Sequence, residues 1–223
     1  MLFRSDAELP FLGGEGLLIG NEVGDNTGGD LTIRNCRILS TDIAANRGIQ
    51  VGNNGNIQIE NSEIMLSRAK GIRTGDGGSI TIRDSQLITN GIYMVEEGTT
   101  QRKLKRLEIT NSTVVTSDVL GSTGNFTSVG EIVIHGSSIR QSEDYGNGYS
   151  IGCGDYGSFD RIDIQDSQID IPRANYGAAI GGGKYTTDPG NSVIRIANSR
   201  VFARTYHRWS TADRKSVGRE RVC

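Results

Sequence analysis

IQIENSEI, residues 57–64, decides how this sequence is read, because its pattern recurs along the chain. The pattern is apolar, any, apolar, any, Asn/Asp/Gly, Ser/Cys, any, apolar. LTIRNCRI precedes it at Leu31, and ITIRDSQL, LEITNSTV, IVIHGSSI, IDIQDSQI and IRIANSRV follow at Ile80, Leu107, Ile132, Ile162 and Ile194. The starting residues are 26, 23, 27, 25, 30 and 32 apart. Self-similarity at such a period marks a repeat architecture. Within a copy, Ile57 and Ile59 alternate with Gln58 and Glu60, the period of a half-buried strand. Asn61 breaks the alternation. Asn, Asp and Gly tolerate left-handed backbone angles, so this column reads as a sharp corner. Ser62 and Ile64 then resume the inward series. A third, weaker element lies between copies: GIQVG at Gly48, GIRTG at Gly71, GIYMV at Gly91, SIGCG at Ser150 and AAIGG at Ala178.

Each period thus holds three short strands separated by turns. One unit cannot bury its apolar side alone, but stacked units enclose a continuous core. The expected fold is all-β: a parallel β-solenoid, a right-handed β-helix with about seven coils of three short strands, spanning residues 1–203 as a single domain. An antiparallel sandwich or barrel fits less well, since its strands come every 8–12 residues without such regular identity. Composition agrees. The 223 residues include 31 glycines, 3 prolines, and 25 isoleucines against 10 alanines, favouring β-branched packing over helix. No three-residue glycine period or heptad supports collagen or a coiled coil, and no apolar run reaches the ~20 residues that span a bilayer.

Stacking turns each repeat position into a ladder. The corner column reads Asn35, Asn61, Asp84, Asn111, Gly136, Asp166, Asn198, and the next reads Cys36, Ser62, Ser85, Ser112, Ser137, Ser167, Ser199. Cys36 is therefore expected to be a buried stand-in for a small, tucked-in serine. The outward column from Arg34 through Glu60 to Arg83 alternates in sign, which sets register and solubility. His135 belongs to that column and reads as a surface residue with no acid partner. Cys36 and Cys153 sit four coils apart, near 19 Å at about 4.8 Å per coil, too far for a disulfide. Metal-ligand spacings such as CxxC and HExxH are absent, so neither metal nor cofactor is expected. GDGGSITI at Gly75 reads as a turn into a strand. The basic cluster Arg102, Lys103, Lys105 and Arg106 reads as a solvated loop.

The last two periods are the longest, and insertions in a solenoid gather on one face, often the binding face. Tyr145, Tyr149, Tyr156, Tyr176 and Tyr185 cluster there, with Phe159, Asp144, Asp155, Asp160, Asp163 and Asp188 around them. Aromatic rings offer apolar platforms and carboxylates accept hydrogen bonds from hydroxyls, the chemistry of a sugar site. Tyr145, Tyr149, Tyr156, Asp155, Asp160, Asp163, Tyr176 and Tyr185 are the candidate ligand-binding residues. The competing reading is that these side chains cap turns and cover the flank of the core.

NYGAAIGGGKYTTDPGNSVIRIANSRVFA, from Asn175, and the looser YSIGCGDYGSFDRIDIQDSQI, from Tyr149, resemble repeats of secreted and cell-surface bacterial β-helix proteins. Those carry a GxxIGGG turn, an alternating strand and a small-residue corner. The resemblance covers roughly residues 15–203 and is to the broad pectate-lyase-like class. It implies a surface or secreted protein, extracellular or at the cell surface, with polysaccharide or glycan as partner. The enzymatic branches of that class use clustered aspartates, a Gly-His element and outward Arg or Lys. Here His135-Gly136 stands without paired aspartates, and Asp163 and Asp166 are expected to lack a basic partner in neighbouring coils. Enzymatic activity is therefore left open, leaning to none. The expectation is a non-catalytic segment with a weak carbohydrate-binding or adhesive face, the alternatives being part of a polysaccharide lyase or glycoside hydrolase, or a purely structural stalk.

Residues 204–223 fall outside the repeat, and DRKSVGRERVC, from Asp213, resembles a frame-shifted translation of a sequencing adapter. With no capping segment at either end, the chain is expected to belong to a longer parent. Without residues 213–223 it carries 20 basic and 24 acidic side chains, net −4. That mild acidity argues against a nucleic-acid partner.

Overall fold

A computed structural model describes residues 2–4, 8–11, 17–19, 28–40, 48–66, 71–94, 101–122, 126–142, 151–174, 178–183, 185–186 and 191–205. Its strands, numbered in chain order, fall into three parallel sheets, with no helix among the described residues. The first sheet runs β1 (Leu2–Arg4), β4 (Leu31–Arg34), β7 (Asn56–Glu60), β10 (Ser79–Arg83), β13 (Arg102–Thr110), β16 (Thr127–His135), β19 (Phe159–Gln165) and β22 (Val193–Ala197). The second runs β2 (Glu8–Phe11), β5 (Arg37–Ser40), β8 (Glu63–Leu66), β11 (Gln86–Thr89), β14 (Thr113–Thr116), β17 (Ser138–Gln141), β20 (Gln168–Ala174) and β23 (Arg200–Thr205). The third runs β3 (Leu17–Ile19), β6 (Ile49–Val51), β9 (Ile72–Thr74), β12 (Ile92–Met94), β15 (Leu120–Ser122), β18 (Ile151–Gly152) and β21 (Ile180–Gly181).

Every strand pairs with its counterpart one coil away, so the fold is a right-handed parallel β-helix. The coil count departs from the seven expected, since two sheets hold eight strands and the third seven. The reason is local: residues 2–19 lack the eight-residue motif yet supply β1, β2 and β3 ahead of Leu31. The repeat register holds throughout, with Ile33, Ile59, Ile82, Ile109, Ile134, Ile164 and Ile196 in one column. All of that column except the terminal Ile196 is fully buried. Burying each isoleucine is worth about 1.5–3 kcal/mol, and the column repeats in parallel with two others from the same motif.

The corner between the first and second sheets forms as the sequence predicts. Asn35, Asn61, Asp84, Asn111, Gly136, Asp166 and Asn198 all have φ between 46° and 58°. The serine column behind them has a role that alternation alone does not reveal. Each backbone N–H donates to the hydroxyl one coil on: Cys36 to Ser62 at 3.2 Å, and then at 3.1 Å Ser62 to Ser85, Ser85 to Ser112, Ser112 to Ser137, Ser137 to Ser167 and Ser167 to Ser199. Each hydroxyl in turn donates to the carbonyl two residues before it, as from Ser112 to Thr110 at 2.7 Å. The serines thus replace the sheet ladder where the chain bends, leaving no buried amide orphaned. Cys36 takes the first place in this series, its Sγ 3.1 Å from the Arg34 carbonyl. Cys36 and Cys153 are both buried, and neither forms a disulfide among the described residues.

Arg102, Lys103, Lys105 and Arg106 are not in a loop; they open β13. Lys103 and Lys105 alternate with the fully buried Leu104 and are exposed, while Arg102 and Arg106 are half-buried and Arg106 pairs with Glu108 and Glu131. Gly75–Gly78 is a turn leading into β10, as expected.

Candidate functional site

The chain passes from the third sheet to the first through a turn that again requires left-handed backbone. In the early coils Asn54 and Gly77 occupy it, with φ of 57° and 72°. In the later coils the left-handed residues are Phe126, Tyr156 and Tyr185, with φ of 62°, 56° and 61°. A bond of one kind joins neighbouring coils within each set, Asn54 N–H to the Asp76 carbonyl and Phe126 N–H to that of Asp155, but on the first sheet's register Gly77 lines up with Leu104, Val129 and Phe159, so the aromatic turn lies three residues further from the motif. Bulky side chains with positive φ are uncommon, because Cβ crowds the backbone at a cost of roughly 1–2 kcal/mol per residue.

The three rings stack in line along the helix axis. Phe126 and Tyr156 have centroids 5.3 Å apart, Tyr156 and Tyr185 5.0 Å, with planes inclined by 23° and 21°. Their exposures are 39%, 42% and 58%. Because the rings face one another, each covers part of its neighbour, and the strip as a whole remains partly exposed. Asp155 lies beside Tyr156, and the absence of a side chain at Gly183 makes room for it: a Cβ there would sit 2.6 Å from Asp155 Oδ1.

Of the residues singled out in the sequence, Tyr156, Tyr185 and Asp155 come together here. Tyr145, Tyr149 and Tyr176 lie outside the described residues. Asp160 and Asp163 belong elsewhere, on β19. Asp160 pairs with Lys103 at 2.7 Å, reaching across two coils past Gly130. Asp163 is buried on the outer face of the first sheet. Hydrogen bonds from Gln165 and Arg161 hold its carboxyl below the usual carboxylate range, against the opposing effect of burial. Phe126 was missed because it lies 30 residues before Tyr156 in sequence, in a coil without a tyrosine cluster. The available signal was the turn itself: NNG at Asn53 and DGG at Asp76 stand four residues ahead of their motif copies, and DYG at Asp155 and NFT at Asn125 seven.

The outer face of the first sheet is a chain of ion pairs. Arg34–Glu60 is 2.8 Å, Arg83–Glu108 2.8 Å and Arg106–Glu108 3.1 Å; Arg106 continues to Glu131, which lies 3.8 Å from Arg161, itself bonded to Asp163. Two expectations are corrected here. Asp163 does have basic neighbours, since Arg161 shares its strand and the register sets Arg195 directly beside it. His135 does have an acid partner, its Nε2 3.2 Å from Asp166 Oδ2. Both contacts arise because the periods differ in length only outside the motif, so columns stay aligned while their residues change.

A further polar group lies on the third sheet, where Tyr93 pairs in register with Arg73. Burial pushes the Tyr93 phenol up to about 12, opposed by Arg73, and burial likewise raises the Asp118 carboxyl. A shallow groove of about 370 Å³ runs along the early part of the serine corner, lined by Asn35, Arg37, Asn61, Glu63, Asp84 and Gln86. Among the described residues no group of His, Cys, Asp and Glu is arranged to hold a metal ion, and no helix is long and apolar enough to cross a membrane. No family model matches the chain, and no match is found among curated proteins or solved structures.

Proposed function

We propose that this chain is a non-catalytic segment of a longer bacterial surface or secreted protein, of the pectate-lyase-like β-helix class. In this reading it binds glycan outside the cell through the Phe126–Tyr156–Tyr185 strip. The observation that carries the proposal is the cost of the strip. Three bulky residues occupy left-handed backbone that Asn or Gly fills more cheaply in earlier coils, and they remain exposed. Strain at a solvent-facing position points to selection for something other than stability. Stacking returns about 0.5–1.5 kcal/mol per pair, enough to hold the rings in place but not to explain their exposure. A sugar would meet the exposed parts of the rings for its C–H groups, with tyrosine hydroxyls and the Asp155 carboxylate for its own hydroxyls.

A glycan array probed with the chain, followed by titration of the best hit, tests this. Tyr156→Ala and Tyr185→Ala should weaken binding at least severalfold while the fold persists by circular dichroism. No binding by the unaltered chain would leave a structural stalk as the better account. A second reading, part of a polysaccharide lyase or hydrolase, is favoured by the His135–Asp166 pair beside Asp163. It predicts release of reducing or unsaturated sugars that is lost in His135→Ala. Against it, the Asp163 carboxyl is held ionised rather than kept protonated as a general acid requires.

A further inference from the structure

We infer that two copies of this chain pair face to face through the outer surface of the second sheet, with their rods antiparallel. Strand alternation sends two side chains outward per coil. The first outward column reads Arg37, Glu63, Gln86, Thr113, Ser138 and Gln168, and the second Leu39, Met65, Ile88, Val115, Arg140 and Asp170. The residues between the two columns, from Ile38 to Ile169, are buried. Coil by coil, the face is basic at Arg37, acidic at Glu63, uncharged in the next two coils, basic at Arg140 and acidic at Asp170. Turned end over end, it is acidic, basic, uncharged, uncharged, acidic and basic. Every charge then falls on its opposite, so the face is its own complement, as a two-fold contact between identical chains requires.

The axis that achieves this runs parallel to the strands, between the coils of Ile88 and Val115. It sets Ile88 against the second copy's Val115, and Val115 against the second copy's Ile88. Ile88 is 37% exposed, although nothing in its own coil needs an apolar side chain on the outside. The same axis brings Glu63 beside Arg140 and Arg37 beside Asp170, in neighbouring columns about 7 Å apart, within reach of an arginine stem. Arg37 and Glu63 already pair at 3.0 Å within one chain, both half-exposed. Each end of the contact therefore becomes a square of alternating charge.

Met65 faces the methylene stem of Arg140, and Leu39, opposite Asp170, is the mismatched position. Moving the axis one coil earlier would set Leu39 against Val115 and Met65 against Ile88. It would also set Arg37 against Thr113 and Glu63 against Gln86, giving neither charge an opposite across the interface. From Arg37 to Gln168 the face spans about 24 Å along the rod, a patch below the standard size, so the dimer is weak and concentration-dependent. The Phe126–Tyr156–Tyr185 strip stays free in it, because that turn joins the other two sheets.

Sedimentation velocity of the chain over a wide concentration range tests this. The weight-average mass should rise with concentration and level off at twice the monomer mass. Ile88→Asp, at an exposed position in the centre of the contact, should hold it at the monomer mass with circular dichroism unchanged. Arg140→Glu and Glu63→Arg should each weaken association about tenfold, because each sets like charges together at both ends of the contact. An equimolar mixture of those two variants should recover it, since every Glu then faces an Arg. A chain that stays monomeric at every concentration overturns the inference. So does a mass that grows past the dimer, a dimer indifferent to Ile88→Asp, or one that the mixture fails to restore.

Discussion

The two corners of the coil solve the same backbone problem with opposite residues. Between the first and second sheets, left-handed angles fall to Asn, Asp or Gly in all seven motif copies, and the serine behind each closes the hydrogen bonds. Between the third and first sheets, the same geometry is filled by Asn54 and Gly77 early and by Phe126, Tyr156 and Tyr185 late. The first corner changes little from coil to coil, as a purely structural element should. The second trades the residues that fit the backbone for ones that project rings into solvent. Divergence from the conformationally cheapest residue marks where the scaffold carries something extra.

Ser112→Ala is the strongest way to break this contrast. It strands the buried Ser85 N–H and removes one of the two donors to the Thr110 carbonyl, which keeps the Asp84 N–H, so unfolding should become easier by up to about 3 kcal/mol in denaturant melts. A loss under about 0.5 kcal/mol would mean that the serine corner is not structural in the sense argued.

The polar outer face of the third sheet gives the next effect, at high pH. The Tyr93 pKa is raised in the folded state from 10.0 to about 12. Its contribution is therefore complete below pH 10 and lost as pH rises toward 12, by up to about 3 kcal/mol. Tyr93→Phe should flatten that alkaline loss in thermal melts; an unchanged slope would show that the ring is not shielded from water.

The ion-pair chain of the first sheet works in the other direction. Burial alone would raise the Glu108 carboxyl, but hydrogen bonds from Arg83 and Arg106 outweigh it and the pKa is lowered. That stability is present above the ordinary carboxylate range and drains away as pH falls through the lowered value. Glu108→Gln should reduce the acid slope, read as the change in melting temperature between neutral and acidic buffer. The smallest change is expected at the aromatic turn. Tyr156→Asn relieves left-handed strain while losing two stacking contacts, so stability should move by no more than about 1 kcal/mol while any glycan affinity falls. A large destabilisation would recast the strip as a brace for the core.

The strands of the motif, their inward columns and the serine corner's bend were all legible in IQIENSEI and its copies. Alternation and left-handed residues are local signals, and stacking only repeats them. The extra strands β1 to β3 were not, because Leu2–Arg4, Glu8–Phe11 and Leu17–Ile19 earn their places by pairing with the next coil rather than by pattern. The strand start at Arg102 was hidden by its four cations, of which Lys103 and Lys105 point outward on either side of the inward Leu104. At the candidate site, proximity in sequence found Tyr156, Tyr185 and Asp155 but also drew in Asp160 and Asp163, which face Lys103 and Arg161 instead. Phe126 required aligning turns rather than strands.

The serine series also sets a rule for insertions and deletions. From Leu31 onward the eight-residue motif never changes length, while the chain from one motif start to the next varies between 23 and 32 residues. Each coil is indexed to its neighbour at one edge by a hydroxyl that accepts from one coil and donates within its own. Slack introduced anywhere else in the coil is absorbed before the next index point. Segments grafted between the second sheet and the third should thus leave neighbouring coils in phase, whereas a single residue added between Ile59 and Ser62 would shift every column beyond it.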